Sequence, residues 1–291
     1  MPDGTLPDTA LHPILAKRGR LQLSFARAPD GRSFLDRQFS SYPFHLCRPF
    51  YLDDGPTHGM ASIYTQSCSG GLYSLDRLET EIDVGPGAQA QVTSQASTII
   101  HRATYGGSEQ RCEIAASAGA LVEYLPEASI LFPGARLKSS TTLRIHPTAS
   151  AILFDSFLAH DPAGGGEVFD LFENELLVLA PGDKPLAIDR FRLAGPEFAK
   201  RQIGRMGAYT CHGSVIVIAP DIDMEHCLES ARAAVQSDEG CAIGLSKLPL
   251  VNGYSARILA RDAVPLRRAT LALWHLARTA ITGHPPKQRR K

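Results

Sequence analysis

The sequence predicts a mainly β chain whose helices are confined to the C-terminal part, and three observations carry that prediction. Between residues 19 and 219, short segments alternate apolar and polar side chains with period 2, the mark of strands with two unlike faces. Gly, Pro, Asn and Asp punctuate these segments at the short intervals of a β fold. Helical spacing of apolar residues appears only in the last quarter of the chain.

The first element, "GRLQLSFARAPDGRSFLDRQFS", reads as a hairpin: Leu21, Leu23 and Phe25 alternate, "PDG" turns, and Phe34, Leu35 and Phe39 return. The next informative stretch is "VGPGAQAQVTSQAST", residues 84–98. Its even positions Ala88, Ala90, Val92, Ser94 and Ala96 are small and packable. Its odd positions Gln89, Gln91, Thr93 and Gln95 form a neutral polar row without charge, His or Cys. Plain solvent exposure of that row and a dedicated role both fit the alternation. Later, "LFENELLVLA" and "GSVIVIAP" have the length and β-branched or aromatic content of strands.

A faint repeat links three of these units. Small-residue turns end at Ala88, Ala120 and Ala149, at spacings of 32 and 29 residues. Each turn joins two strand-like segments, and such periods suggest stacked units burying a shared core, with an ordinary meander as the alternative. Seven residues after each turn alanine stand Gln95, Glu127 and Ser156, the last beside Asp155. Stacking would bring them near one another.

Two helices follow. In "DIDMEHCLESARAAVQ" the apolar Met224, Leu228, Ala231 and Val235 recur at helical spacing, with Asp221 or Asp223 as N-cap. In "PLRRATLALWHLARTAITG" the stripe is Leu266, Thr270, Leu273, Trp274, Ala277 and Ile281, started by Pro265 and stopped by Gly283. Both read as core-packing helices. The resulting division is an arm over 1–18, one β-rich domain over 19–283 and a basic tail over 284–291, where Lys287, Arg289, Arg290 and Lys291 cluster.

Thirty basic and thirty acidic residues balance to zero formal charge, which argues against a general nucleic-acid or membrane-surface role. No run approaches the ~18 apolar residues of a membrane span. The acidic, Pro-rich start is unlike a secretory signal, so a cytoplasmic location with reduced thiols is expected. The six cysteines include no CxxC pair. In Cys211-His212 and His226-Cys227, adjacent side chains diverge, so each pair gives one ligand at most to an ion; core Cys beside surface His is the expectation.

Phosphate loops, a GxSxG elbow and HExxH are absent. "FDSFLAHDPAGGGEVFDLF" gathers Asp155, His160, Asp161, Glu167 and Asp170 around a glycine-rich turn. Such carboxylates suit either acid–base work or a solvated loop. An all-β carbohydrate-active hydrolase using Glu127 with Asp155 or Glu167 is therefore the enzymatic alternative.

A set of ordered motifs resembles the UreD/UreH family of urease accessory proteins: "SSYPFHLCRPFYL", "SGGLYSLDRL" with Asp76, "GAQAQVTSQAST", "EYLPEASILFPGA" and "PAGGGEVF". The resemblance runs from "GRLQLSF" to the Trp274 helix. It departs at Leu75, where the family usually has glycine, at "AHDPAGGGE", which lacks the usual Arg, and at the "PPKQRRK" ending.

The resemblance implies two stacked sheets in a β-solenoid-like arrangement with a few helices. It also implies a non-enzymatic scaffold that binds urease apoprotein and a UreF-like partner. Through that partner it would reach a UreG-like GTPase and help deliver nickel. Nickel would pass transiently, with no permanently bound cofactor, no nucleic acid and no membrane. A neutral polar ribbon with occasional acids suits a hydrated conduit between two sheets, because oxygen ligands release a divalent ion that a Cys/His cage would trap. Asp76, Gln95, Glu127, Asp155 and Glu167 are the candidate path or partner-contact residues.

Overall fold

A computed structural model describes residues 16–53, 59–235 and 240–287. Most of the expected arm and the end of the basic tail lie outside them. The described residues contain the hairpin β1 (Arg18–Arg27) and β2 (Ser33–Ser40), then β3 (Phe44–Leu46), β4 (Ala61–Ser67), β5 (Arg77–Val84) and β6 (Gln89–Ser94). The coil continues through β7 (Thr98–Ile100), β8 (Ser108–Ala116), β9 (Leu121–Leu125), β10 (Ser129–Leu131), β11 (Arg136–Ile145) and β12 (Ser150–Ala159). After β13 (Leu171–Ala180) and β14 (Lys184–Ala194) come a short helix α1 (Gly195–Ala199), β15 (Cys211–Ile218) and α2 (Met224–Val235). The chain ends with β16 (Cys241–Lys247), β17 (Gly253–Ala260) and α3 (Ala263–Thr282).

These strands form two sheets. Sheet A has seven strands in the order β14-β13-β11-β8-β5-β1-β2; sheet B has ten, running β16-β17-β15-β12-β9-β6-β4-β3 with β7 and β10 as a side branch. β1, β5, β8, β11 and β13 of sheet A and β4, β6, β9 and β12 of sheet B run parallel as the chain alternates between sheets in a solenoid, while β15, β17 and β16 extend sheet B antiparallel.

The three alanine turns stack as the repeat predicts. Each alanine N–H closes its own turn, Ala88 onto Gly85, Ala120 onto Ser117 and Ala149 onto His146. Leu121 N–H then donates to Ala88 O at 3.0 Å, and Ser150 N–H to Ala120 O at 2.8 Å. All three alanines are buried, so only a small side chain fits the corner. Gly87 and Gly119 hold φ of 63° and 66° in the first two turns.

The two predicted helices are present. α2 buries Met224, Leu228, Ala231 and Val235, and Asp223 Oδ1 accepts from His226 N–H at its start. α3 begins two residues before Pro265 because Asp262 caps it through Val264 N–H. Both pack on the outer face of sheet B. At Gly213 on β15 an added Cβ would lie 2.8 Å from Leu266, so the glycine lets α3 approach closely.

The polar row of β6 is a correction. Ala90 and Val92 belong to the core between the sheets. Gln91, on the opposite face, is buried beneath α3, where its amide donates to Glu123 at 2.7 Å. Gln91 therefore does not line the space between the sheets, whereas Thr93 and Gln95 of the same row reach the cavity described below. Glu123 also accepts from Trp274 Nε1 at 2.9 Å and from two nitrogens of Arg278, which reaches Asp53 with a third. Glu123 and Arg278 are both 0% exposed. Arg278 follows Ala277 in the apolar stripe of α3 and pins that helix to the sheet by charge as well as by packing.

A second correction concerns His212. Cys211 packs with the outer core as expected, but His212 is buried between the sheets. His226 is exposed beside buried Cys227, as the sequence suggests.

Replacing Arg278 by leucine leaves Glu123 as a buried charge without its counter-ion. The expected loss is about 3–5 kcal/mol, read as a lower urea midpoint. An unchanged midpoint would mean that apolar packing alone holds α3.

Candidate functional site in the space between the sheets

Inward positions on sheet A run apolar, polar, apolar from one edge of the coil to the other. Ile82, Ile114, Leu143 and Val178 form one aligned row near the alanine turns. Next come Thr80, Cys112 and Thr141 at matching register, then Gln110, Ser139 and Asn174. Leu137 and Phe172 resume the apolar core beyond. Ser94, Tyr124 and Asp155 of sheet B also line this level. The result is a cavity of about 380 Å³ lined by hydroxyl, amide, phenol, thiol and carboxylate groups together with apolar side chains such as Leu21, Leu78, Val92 and Phe154, between two apolar clusters.

Burial sets the charge of these groups. The Cys112 thiol is pushed up to about 12 by desolvation, and Tyr124 is raised for the same reason, so both stay protonated. Asp155 rises to about 7 through desolvation and then the nearby charge of Asp189, against hydrogen bonds from the Ser156 backbone and Asn174. Its accessible area is intermediate, yet it lies deep, because the surface that it exposes faces the cavity.

Past Asp155 the polar layer continues into Ser214, whose hydroxyl donates to Asp189 at 2.9 Å, and Arg257, which pairs with Asp189. It ends at His212, packed 5.8 Å from Phe157 and 4.8 Å from Phe191 by ring centroids. Burial lowers the His212 imidazole to about 4, so it is neutral near pH 7, and among the described residues its Nδ1 has no hydrogen-bond partner. A second cavity of about 670 Å³ adjoins it, lined by Phe157, Phe191, Arg257 and Leu259 among others.

The sequence candidates divide into three groups. Gln95, Glu127 and Ser156 line the first cavity and also a groove of about 1010 Å³ beside α3, so the repeat positions meet where the interior opens. Glu127 is fixed there by its backbone N–H, which donates to Ser94 Oγ at 2.8 Å, and Gln95 accepts from Gln66. Asp155 lies within the cavity. Asp76 is elsewhere: its buried carboxylate accepts from Lys17 N–H and Tyr73 N–H, both at 2.7 Å, and pairs with Lys17 Nζ at 2.6 Å. Glu167 is an exposed residue paired with Arg102 at 3.1 Å.

Tyr124, Asn174, Asp189 and Ser214 are polar-layer residues that the sequence did not single out, and His212, expected on the surface, joins them. Their trace was there, as single polar residues interrupting the inward apolar alternation of their strands. Among the described residues no group of three or more His, Cys, Asp or Glu is placed to hold a metal ion. No helix among them is long and apolar enough to cross a membrane. The site can accept a hydrated cation through scattered oxygens, with nothing to replace its whole water shell.

The Asp155 shift has a signed consequence. Its folded pKa of about 7 exceeds the ordinary value of 3.8 for this carboxyl, so the native state holds a proton that the unfolded state has lost between those values. Stability from this group is full below pH 3.8 and declines as pH rises toward 7. Asp155→Asn should abolish that decline and stabilise the chain at pH 8 by a few kcal/mol, on the order of the shift. Denaturant midpoints of both forms at pH 5 and pH 8 check this; parallel profiles would refute it.

A family model described as UreD urease accessory protein matches residues 17–291. Urease accessory protein UreD 1 of Pseudomonas syringae pv. tomato (strain ATCC BAA-871 / DC3000) is 36% identical over 283 residues, 97% of this chain and 99% of the relative. Its namesake from Pseudomonas syringae pv. syringae (strain B728a) is 36% identical over 269 residues, 92% and 94% of the two chains. UreD 1 of Methylorubrum extorquens (strain PA1) is 34% identical over 296 residues, 100% of this chain and 98% of the relative. The two-sheet coil with its polar interior is thus built from a sequence that belongs, over nearly its whole length, to the UreD family of urease accessory proteins.

Proposed function

We propose that this chain is a non-enzymatic scaffold in urease maturation that binds apo-urease and helps nickel reach its active site. The observation that carries the reading is the polar layer between the sheets, which opens at Gln95, Glu127 and Ser156. A layer of this kind is costly to bury unless something uses it. Neutral oxygens and isolated carboxylates bind a divalent ion weakly enough to pass it on, whereas thiolate or imidazole cages retain it. In this reading Glu127 and Gln95 stand at the opening and Asp155 inside. Glu167 serves a partner contact on the surface, and Asp76 braces the start of β5. The partners are urease apoprotein subunits and a UreF-like protein, with a UreG-like GTPase engaged through it, all in the cytoplasm.

The rival hydrolase needs two carboxylates about 5–9.5 Å apart across an open cleft. Glu167 is on the surface, ion-paired to Arg102, and so does not pair with Glu127 across the cavity. Glu127 and Asp155 do line one cavity, with Asp155 hydrogen-bonded to Asn174, and membership of the accessory-protein family is what favours the scaffold.

The test is co-expression with urease subunits and the remaining accessory proteins. Glu127→Gln and Asp155→Asn should each lower the nickel content and activity of urease several-fold, with the amount of urease protein and the pull-down of this chain unchanged. Full nickel loading in the double variant would remove both residues from the path. Full urease activity with this chain deleted, and no second copy present, would sink the scaffold reading itself.

A further inference from the structure

Sheet B outruns sheet A at one end. Sheet A stops at β14, while sheet B continues from β15 through β17 to β16. Two rows on the inner face cross these last strands, His212–Leu259–Ala242 and Ser214–Arg257–Gly244. With Phe191 and Leu193 of β14 they border the cavity of about 670 Å³ beside His212. Small-molecule sites occupy about 300–1,000 Å³, so an organic ligand fits the space.

The wall is largely aromatic. The His212 ring lies within 21° of parallel to Phe157, and the Phe191 ring centroid is 4.8 Å from it. Flat aromatic bodies pack well on such faces.

The charged groups at the cavity are not equivalent. Arg205 is answered by Glu197, which also lines the cavity, and Arg192 by Glu173 at 3.3 Å. Both therefore arrive neutralised. Arg257 differs. Its side chain is 57% exposed, and among the described residues its guanidinium makes one bond, from Nη2 to the buried carboxylate of Asp189. A guanidinium carries five N–H donors in a fixed fork, so most of them are left for a second acceptor. Asp189 also accepts from Ser214 at 2.9 Å, which holds it in place while Arg257 is shared.

A single fork in an apolar wall answers one planar negative charge, which suits a carboxylate better than the larger charge of a phosphate. His212 adds a neutral polar group one row away, with its Nδ1 unpartnered among the described residues. We propose that this cavity binds an aromatic monocarboxylate, with its ring against Phe157, Phe191 and Leu259 and its carboxylate on Arg257. The assignment is independent of nickel transfer, because it uses neither Glu127 nor Asp155.

Fluorescence titration of the full chain with 2-naphthoate and with its neutral amide, 2-naphthamide, tests this. Naphthoate should bind at one saturable site, about tenfold or more tighter than the amide, because only the acid pairs with the fork. Asp189→Asn keeps an acceptor for Ser214 but removes the acid that competes for Arg257. Naphthoate should then bind several-fold more tightly, with the amide unchanged. Arg257→Gln should erase the preference for naphthoate. Gly244→Phe should abolish binding of both probes, since an added Cβ there meets nothing within 4 Å and the larger ring has the cavity to fill. Urea midpoints report whether each variant is folded. Should Asp189→Asn or Arg257→Gln unfold, the wild-type preference and Gly244→Phe carry the test. Absence of saturable binding to the wild type overturns the proposal, as does equal affinity for the two probes. So does naphthoate binding that survives in folded Gly244→Phe, or that is no tighter in folded Asp189→Asn.

Discussion

A parallel coil keeps its register only if every rung closes at the same length, and in this chain a buried alanine closes each one. Ala88, Ala120 and Ala149 sit in stacked turns whose backbone groups bond to the turn above. That fixes Gln89 against Leu121 and Leu121 against Ser150, and every later position along β6, β9 and β12 follows. A larger side chain at the corner would push the turns apart and shift the rows. The alignment of Thr80 with Cys112 and Thr141, which makes the polar layer a layer, is set far from the layer itself.

Much of this was legible in the sequence. The hairpin, the alanine spacing and both helices are local patterns, and each needs only period, turn chemistry or a cap. The meeting of Gln95, Glu127 and Ser156 at one opening follows from the repeat alone. What stayed hidden depends on which face of a strand meets which neighbour. Gln91 in the β6 row reads as part of a solvent or conduit face, because nothing in "QAQVTSQ" reveals that α3 will cover it. Arg278 looks like a polar break in the stripe of α3 and proves to be its most buried charge, answering Glu123 across 155 positions of sequence. The departure at Leu75 has a local cause that the sequence could only mark. Its φ is 66°, a left-handed conformation that glycine adopts without strain.

Two kinds of buried polarity are present, and they differ in how completely they are satisfied. Beneath α3, Glu123 is held by Arg278, Trp274 and Gln91 at once. That network is buried, and it specifies where the helix sits. Between the sheets the groups face empty volume: Asp155 borders the first cavity, and His212, beside the second, keeps an orphan nitrogen. An apolar replacement of the second layer would join its flanking clusters into one continuous core. The proposed passage of nickel would use such a layer, which a merely structural core would not need.

The two ends of sheet A differ because the fold leaves them different neighbours. At β14 the sheet ends against the His212 cavity, where Phe191 and Arg192 form part of the wall. At β2 it ends in a bulged strand with two exposed phenylalanines. Between them the outer face of the sheet is laced with surface ion pairs such as Arg20–Glu81, Arg111–Glu113 and Arg190–Glu175. Each of these is worth little, and together they keep the face solvated.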